Sequence, residues 1–176
     1  MKRSGISLAL SMFALLALVG SAAAASPQFK HGGEPTFRDN GKTLSVRASL
    51  TGLGNGDLNV HVEYNGTTVN NTCTSPGGNE APGQNPATPV SGVADVTITP
   101  DKNGNVTFTA TTTAPTITAT QAGCPNKNWT ASYTDVVFFT ASVRITQEVT
   151  GFDVTYCANF PVGGTSNGVT YTSSPC

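Results

Sequence analysis

LSVRASLTGLGNGDLNVHVEYNG, residues 44–66, decides the fold. Leu44, Val46, Ala48 and Leu50 alternate with Ser45, Arg47 and Ser49; beyond a glycine-rich gap, Leu58, Val60, Val62 and Tyr64 alternate with Asn59, His61 and Glu63. A period of two places one apolar and one polar face on each segment, the pattern of two half-buried antiparallel strands. Asn-Gly recurs at Asn40-Gly41, Asn55-Gly56, Asn65-Gly66, Asn103-Gly104 and Asn167-Gly168. Both residues accept positive φ, so each dipeptide is read as a turn between strands.

Working outward, further strands are expected over 69–73, 92–99, 105–113, 116–120, 129–133, 136–146, 152–160 and 169–172. In VTFTATTT, from Val106, threonines take the outward positions, where a β-branched side chain suits the pleat. VVFF, 136–139, breaks the alternation, as a central strand or a bulge would. The segment 26–35 reads as a flexible arm or a first edge strand. No window beyond the first 25 residues shows apolar residues at helical spacing. The expectation is an all-β fold: an antiparallel, immunoglobulin-like sandwich of about seven to nine strands with two disulfides, one domain over 26–176.

The chain opens with Lys2 and Arg3, an apolar run from Ile6 to Val19 and an Ala-x-Ala cluster. This reads as a secretory signal peptide over 1–25, too short in its apolar part for the roughly 20 residues of a membrane span. The expected mature protein is secreted, or periplasmic in a host with two membranes, without membrane insertion. Removing Lys2 and Arg3 from nine basic residues leaves seven against ten acidic ones, a net charge of −3. With no basic patch to neutralise phosphates, nucleic acid is not an expected partner. Charged residues make up 11% of the chain, so Thr, Asn, Ser and Gly must supply much of the polar surface.

Cys73, Cys124, Cys157 and Cys176 all follow the signal peptide. An even count in an exported chain implies disulfides, with three connectivities open. Cys73 with Cys124 and Cys157 with Cys176 is the favoured pairing, because the second closes a short local loop and the first ties two candidate strand ends. Zinc does not suit the spacing, since no pair is C-x₂₋₄-C and His31 and His61 are distant from the cysteines in sequence.

CTSPGGNEAPGQNP, from Cys73, and AGCPNKNW, from Ala122, follow GLGNGDLNVHVEYNG. With Gly77, Gly78, Asn79, Pro82, Gly83, Gln84, Asn85 and Pro86 carrying the match, most of the mature chain resembles small exported bacterial proteins with an immunoglobulin-like sandwich pattern. The resemblance implies fold and export, and brings no activity with it. It also implies a bacterial host, in which the sequons at Asn65, Asn70, Asn105 and Asn128 are turn and edge asparagines.

The stretch 74–91 is the one long irregular segment. A loop of that length in a compact domain tends to be functional or disordered. Pinned at Cys73 to the turn-rich segment at Cys124, it reads either as a rigid recognition surface presenting Asn79, Gln84 and Asn85, or as a crossover that merely connects two sheets.

Groups for catalysis are sparse. His61 beside Glu63 occupies the polar face of a strand, His31 lies in the N-terminal segment, and no nucleophile elbow, HExxH or phosphate loop occurs. Asp101, Asn103 and Asn105 resemble a calcium loop only in alternation; Gly104 falls early and the distal Glu is missing, so a hairpin turn is expected. Trp129 and Tyr133, four residues apart, fall on one side of a strand and would serve as a saccharide platform or as core plugs. The sequence thus favours a non-catalytic protein without cofactor or metal, acting by contact with a protein or glycan at the cell surface as an envelope, adhesion or matrix component. A carbohydrate-binding module built on Trp129 and Tyr133 is the alternative.

Overall fold

A computed structural model describes residues 26–176; the signal peptide expected over 1–25 lies outside the described residues. In chain order the strands are β1 (Gln28–Phe29), β2 (Thr36–Asp39), β3 (Leu44–Thr51), β4 (Leu58–Val69), β5 (Thr72–Thr74), β6 (Glu80–Pro82) and β7 (Pro89–Ile98). They continue as β8 (Val106–Thr111), β9 (Thr130–Ser132), β10 (Asp135–Gln147), β11 (Phe152–Ala158), β12 (Thr170–Tyr171) and β13 (Ser173–Pro175), with a single 3-10 turn, Glu148–Thr150, before β11. Seven of these thirteen are four residues or longer and match the number expected; the other six are short additions at edges and at one pole.

All pairings are antiparallel. One sheet runs β12-β2-β3-β8, with β1 lying beside the C-terminal end of β3 on the edge that β2 also uses. The segment 26–35 therefore holds an edge strand. The larger sheet runs β13-β11-β10-β4-β7. Leu44, Val46, Ala48 and Leu50 of β3, with Val106, Phe108 and Ala110 of β8, join Leu58, Val60, Val62 and Tyr64 of β4 and Val143 and Ile145 of β10 in one buried core. Burying each large aliphatic side chain contributes about 1.5–3 kcal/mol before the entropy of ordering is counted.

The break in alternation at VVFF is a bulge within a central strand. Val136 and Phe138 face inward, the register against β4 shifts between Phe138 and Thr140, and the inward positions then become Ala141, Val143 and Ile145. Phe139 is the extra residue and is 47% exposed. Opposite the bulge stands Gly66, where an added Cβ would lie 2.6 Å from the Val137 carbonyl oxygen. Asn65-Gly66 is thus not the turn expected but the middle of β4, where glycine permits the close approach of backbone. Tyr64 packs edge-to-face on Phe138 at 4.9 Å between centroids, and burial pushes its phenol up to about 12.

The segment 165–169 ties the two sheets together beside this bulge. Thr165 exchanges hydrogen bonds with the Phe138 main chain, and its hydroxyl donates to Asp39 Oδ2 at 2.6 Å. Asp39 is 1% exposed and also accepts the Gly41 N–H; burial raises its carboxyl above the usual range, which those two hydrogen bonds oppose.

Candidate functional site

Cys73 is joined to Cys124 and Cys157 to Cys176, the pairing favoured from spacing. Two such bonds belong to a chain that matures in an oxidising compartment. Among the described residues no helix is long and apolar enough to cross a membrane. The two bonds differ in setting: Cys73 is fully buried, whereas Cys176 is exposed where β13 edges β11.

Cys73 sits at the centre of a third, small sheet in the order β6-β5-β9, opposite Ala81 and Ala131. The stretch 74–91 is therefore less irregular than expected. After Asn70, held at φ 54°, the chain runs through β5 and turns at 75–79, where the Ser75 N–H donates to the Asn79 carbonyl and the Ser75 hydroxyl accepts the Asn79 N–H. It then returns as β6, and its last residues already belong to β7.

Residues 83–88 are held by a buried polar network rather than by hydrocarbon. Asn71 is 3% exposed; its amide donates to the Asn85 carbonyl at 2.9 Å and the Thr88 hydroxyl at 2.7 Å, and its Oδ1 accepts from the Thr68 hydroxyl at 2.7 Å. The Thr88 hydroxyl donates onward to the Gln121 carbonyl, and Gly83 N–H donates to the Asn71 carbonyl. A satisfied buried amide of this kind is stabilising in place and costly to truncate, because its partners lose theirs.

The opposite wall comes from 118–124, where a strand was expected over 116–120. Instead Thr118 and Gln121 bond reciprocally: the Thr118 N–H donates to Gln121 Oε1, and the Thr118 hydroxyl accepts the Gln121 N–H. That Thr-x-x-Gln spacing is a capping-box signal, legible in the sequence, and it folds the segment into a tight turn in which the Ala122 N–H donates to the Thr118 carbonyl. The carbonyls of Gln121, Ala122 and Gly123 then receive the Asn85 side chain, the Asn85 N–H and the Gln84 N–H. An added Cβ on Gly83 would lie 2.3 Å from the Ala122 carbonyl oxygen, so the two segments touch backbone to backbone.

The predicted contact residues are distributed over this pole unequally. Asn79, Gln84 and Asn85 are exposed; the Asn85 side chain is committed to Gln121, whereas those of Asn79 and Gln84 have no hydrogen-bond partner among the described residues. Trp129 is half-buried just before β9. Tyr133 is 9% exposed, belongs to the core, donates its hydroxyl to the Pro115 carbonyl and carries Lys42 Nζ 5.0 Å from its ring. The paired platform expected from Trp129 and Tyr133 is not formed, since the residue after β9 turns into the core.

Elsewhere, the outer face of the larger sheet carries a shallow hollow of about 460 Å³. There His61 Nδ1 lies 2.7 Å from Asp95 Oδ1, and Arg144 makes a two-pronged contact with Asp153 that holds the Asp153 carboxyl below its ordinary range. All four side chains are substantially exposed. At 101–105, Asp101 Oδ1 accepts the N–H groups of Asn103 and Asn105, the expected hairpin turn, and those bonds lower its carboxyl. Comparison with protein-family models, curated proteins and solved structures gives no match.

Proposed function

We propose that this chain is an exported, non-catalytic protein that acts by surface contact through its disulfide-bonded pole, as an envelope, adhesion or matrix component. The observation that carries the reading is the construction of that pole. A buried amide, a one-turn cap and a covalent bond converge on a segment whose exposed members, Asn79 and Gln84, have side chains free to bind. Loops fixed on a rigid scaffold are the usual carriers of recognition.

An immunoglobulin-like assignment is supported by strand order. β2, β3 and β8 neighbour one another in the smaller sheet, β7, β4, β10 and β11 in the larger, and the chain changes sheet between β3 and β4, β7 and β8, and β8 and β10. Export is supported by the N-terminal signal pattern and by the oxidised cysteines. A non-catalytic role fits the side chains: His61 is engaged by a carboxylate on an open face.

The test is retention of envelope material by immobilised mature protein, compared with Asn79→Ala/Gln84→Ala. Loss of capture by the variant, with thermal stability unchanged, is the expected result. Equal capture by both sinks the proposal for the pole, and a glycan array decides whether the captured partner is saccharide or protein.

A further inference from the structure

Among the described residues β7 is the outermost strand of the larger sheet, and one of its edges has no neighbour there. Its ladder to β4 fixes which main-chain groups face that edge. The Thr68 N–H donates to the Thr88 carbonyl, and the unbroken register carries the bonded pairs on as Gly66 with Val90, Tyr64 with Gly92, Val62 with Ala94 and Val60 with Val96. The alternate residues, Pro89, Ser91, Val93, Asp95 and Thr97, therefore aim their main-chain groups away from the sheet. Apart from Pro89, which has no N–H, each offers a donor with no protein acceptor among the described residues.

Proteins usually blunt such an edge with lysine, a bulge or covering chain. Here the register is continuous over all ten residues, no lysine occurs, and proline stands only at the first position. The segment 113–116 flanks the start of the strand across a groove of about 490 Å³ without bonding to it. On the outer face, Val93 is 54% exposed in the middle of the strand.

We propose that this edge pairs with β7 of a second copy of the same chain, antiparallel about a two-fold axis at Val93. The register is self-complementary, as a two-fold contact requires. Val93 meets Val93 of the second copy, Ser91 meets Asp95, and Thr97 meets Pro89. Each of the four free N–H groups on either copy then faces a carbonyl, and the missing proline donor falls at the outermost pair. The two Asp95 residues stand four positions apart, roughly 14 Å at ~3.4 Å per residue, beyond most of the reach of charge repulsion in physiological salt. Centring the axis at Asp95 instead would set like charges directly opposite, which disfavours that register. The product doubles the larger sheet and covers the exposed valine. This inference is independent of the proposed role of the disulfide-bonded pole, which is built on other strands.

Sedimentation of the mature protein from micromolar to millimolar concentration should show a reversible monomer–dimer equilibrium. Val93→Lys sets two cations opposite each other, and Ser91→Pro deletes one edge donor; each should weaken dimerisation by about tenfold or more. Both should leave the unfolding midpoint of the dilute monomer unchanged. Val93→Cys should oxidise to a covalent dimer, because a directly opposed bonded pair lies ~5.5 Å apart at Cα, within disulfide reach. Thr97→Cys should not, its counterpart lying roughly 27 Å away at ~3.4 Å per residue. A wild type that stays monomeric throughout overturns the proposal. So does equal dimerisation of Val93→Lys, equal cross-linking of the two cysteine variants, or a monomer whose β7 takes up an extended peptide instead.

Discussion

The sandwich body and the disulfide-bonded pole are stabilised by opposite means. In the body, nineteen buried apolar side chains form one cluster, and the hydrogen bonds of the strands follow from their regular pairing. At the pole, 83–88 is fixed by directional bonds to Thr68, Asn71 and Gln121, and a single sulfur bridge closes a chain separation of 51 residues. Apolar burial is non-directional and tolerates compensating changes of shape. A polar network has no such latitude, because each partner is specific and its loss strands another group in a dry site.

That contrast can be broken by experiment. Phe138→Ala empties the core at the bulge and should cost about 3–5 kcal/mol in urea unfolding. Below the transition, residues 74–91 should resist protease as in the wild type; if they do not, body and pole are not separable. Removing Cys73 and Cys124 together, as alanines, should cost about 4 kcal/mol by the chain-entropy relation for a loop of this length. Here cleavage within 74–91 is expected under native conditions, while hydrogen exchange in β4 and β10 keeps its rank order.

Asn71→Ala should cost about 2–3 kcal/mol, since it takes a partner from the buried Thr68 and Thr88 hydroxyls and from the Asn85 carbonyl. A loss much smaller than that, by the same urea titration, would mean the sulfur bridge alone holds the pole. The two perturbed aspartates sharpen the comparison through pH. Burial raises the Asp39 carboxyl, so the folded state binds a proton more readily than the unfolded state, whose value is 3.8. Stability contributed by this group is therefore greatest in acid and falls as pH rises from 3.8 through the folded value. Asp39→Asn should flatten that slope in urea midpoints measured across acid pH. Asp101 behaves with the opposite sign: main-chain donors lower its carboxyl, so its contribution is present above 3.8 and is lost as pH falls through the folded value. Asp101→Ala should show the smallest effect, a slight loss at neutral pH that vanishes in acid.

The limits of the sequence are visible in particular residues. Leu44 to Leu50 and Leu58 to Tyr64 are legible because a half-buried strand has a period of two and nothing nearby disturbs it. VVFF is only partly legible: the bulge changes the phase of burial, and its position depends on Gly66 in the strand opposite. The same pairing explains why Asn65-Gly66 misleads, since a glycine chosen for close approach looks like one chosen for a turn. At 116–120 the threonines suggest a strand, but the bond between Thr118 and Gln121 is stronger local evidence and favours a turn. For Tyr133, spacing gives a side of a strand, and only the packing of β9 beside Pro115 shows that this side is the core.

By itself the sequence determined the all-β class and the main alternating strands, and it favoured one of three cysteine pairings without deciding it, because periodicity and loop length are properties of the chain alone. Only the tertiary structure decided which polar residues are buried together at the pole, where β10 shifts its phase and which edge of the larger sheet is left open. Those outcomes depend on segments distant in sequence meeting in space, and no local pattern encodes the partner.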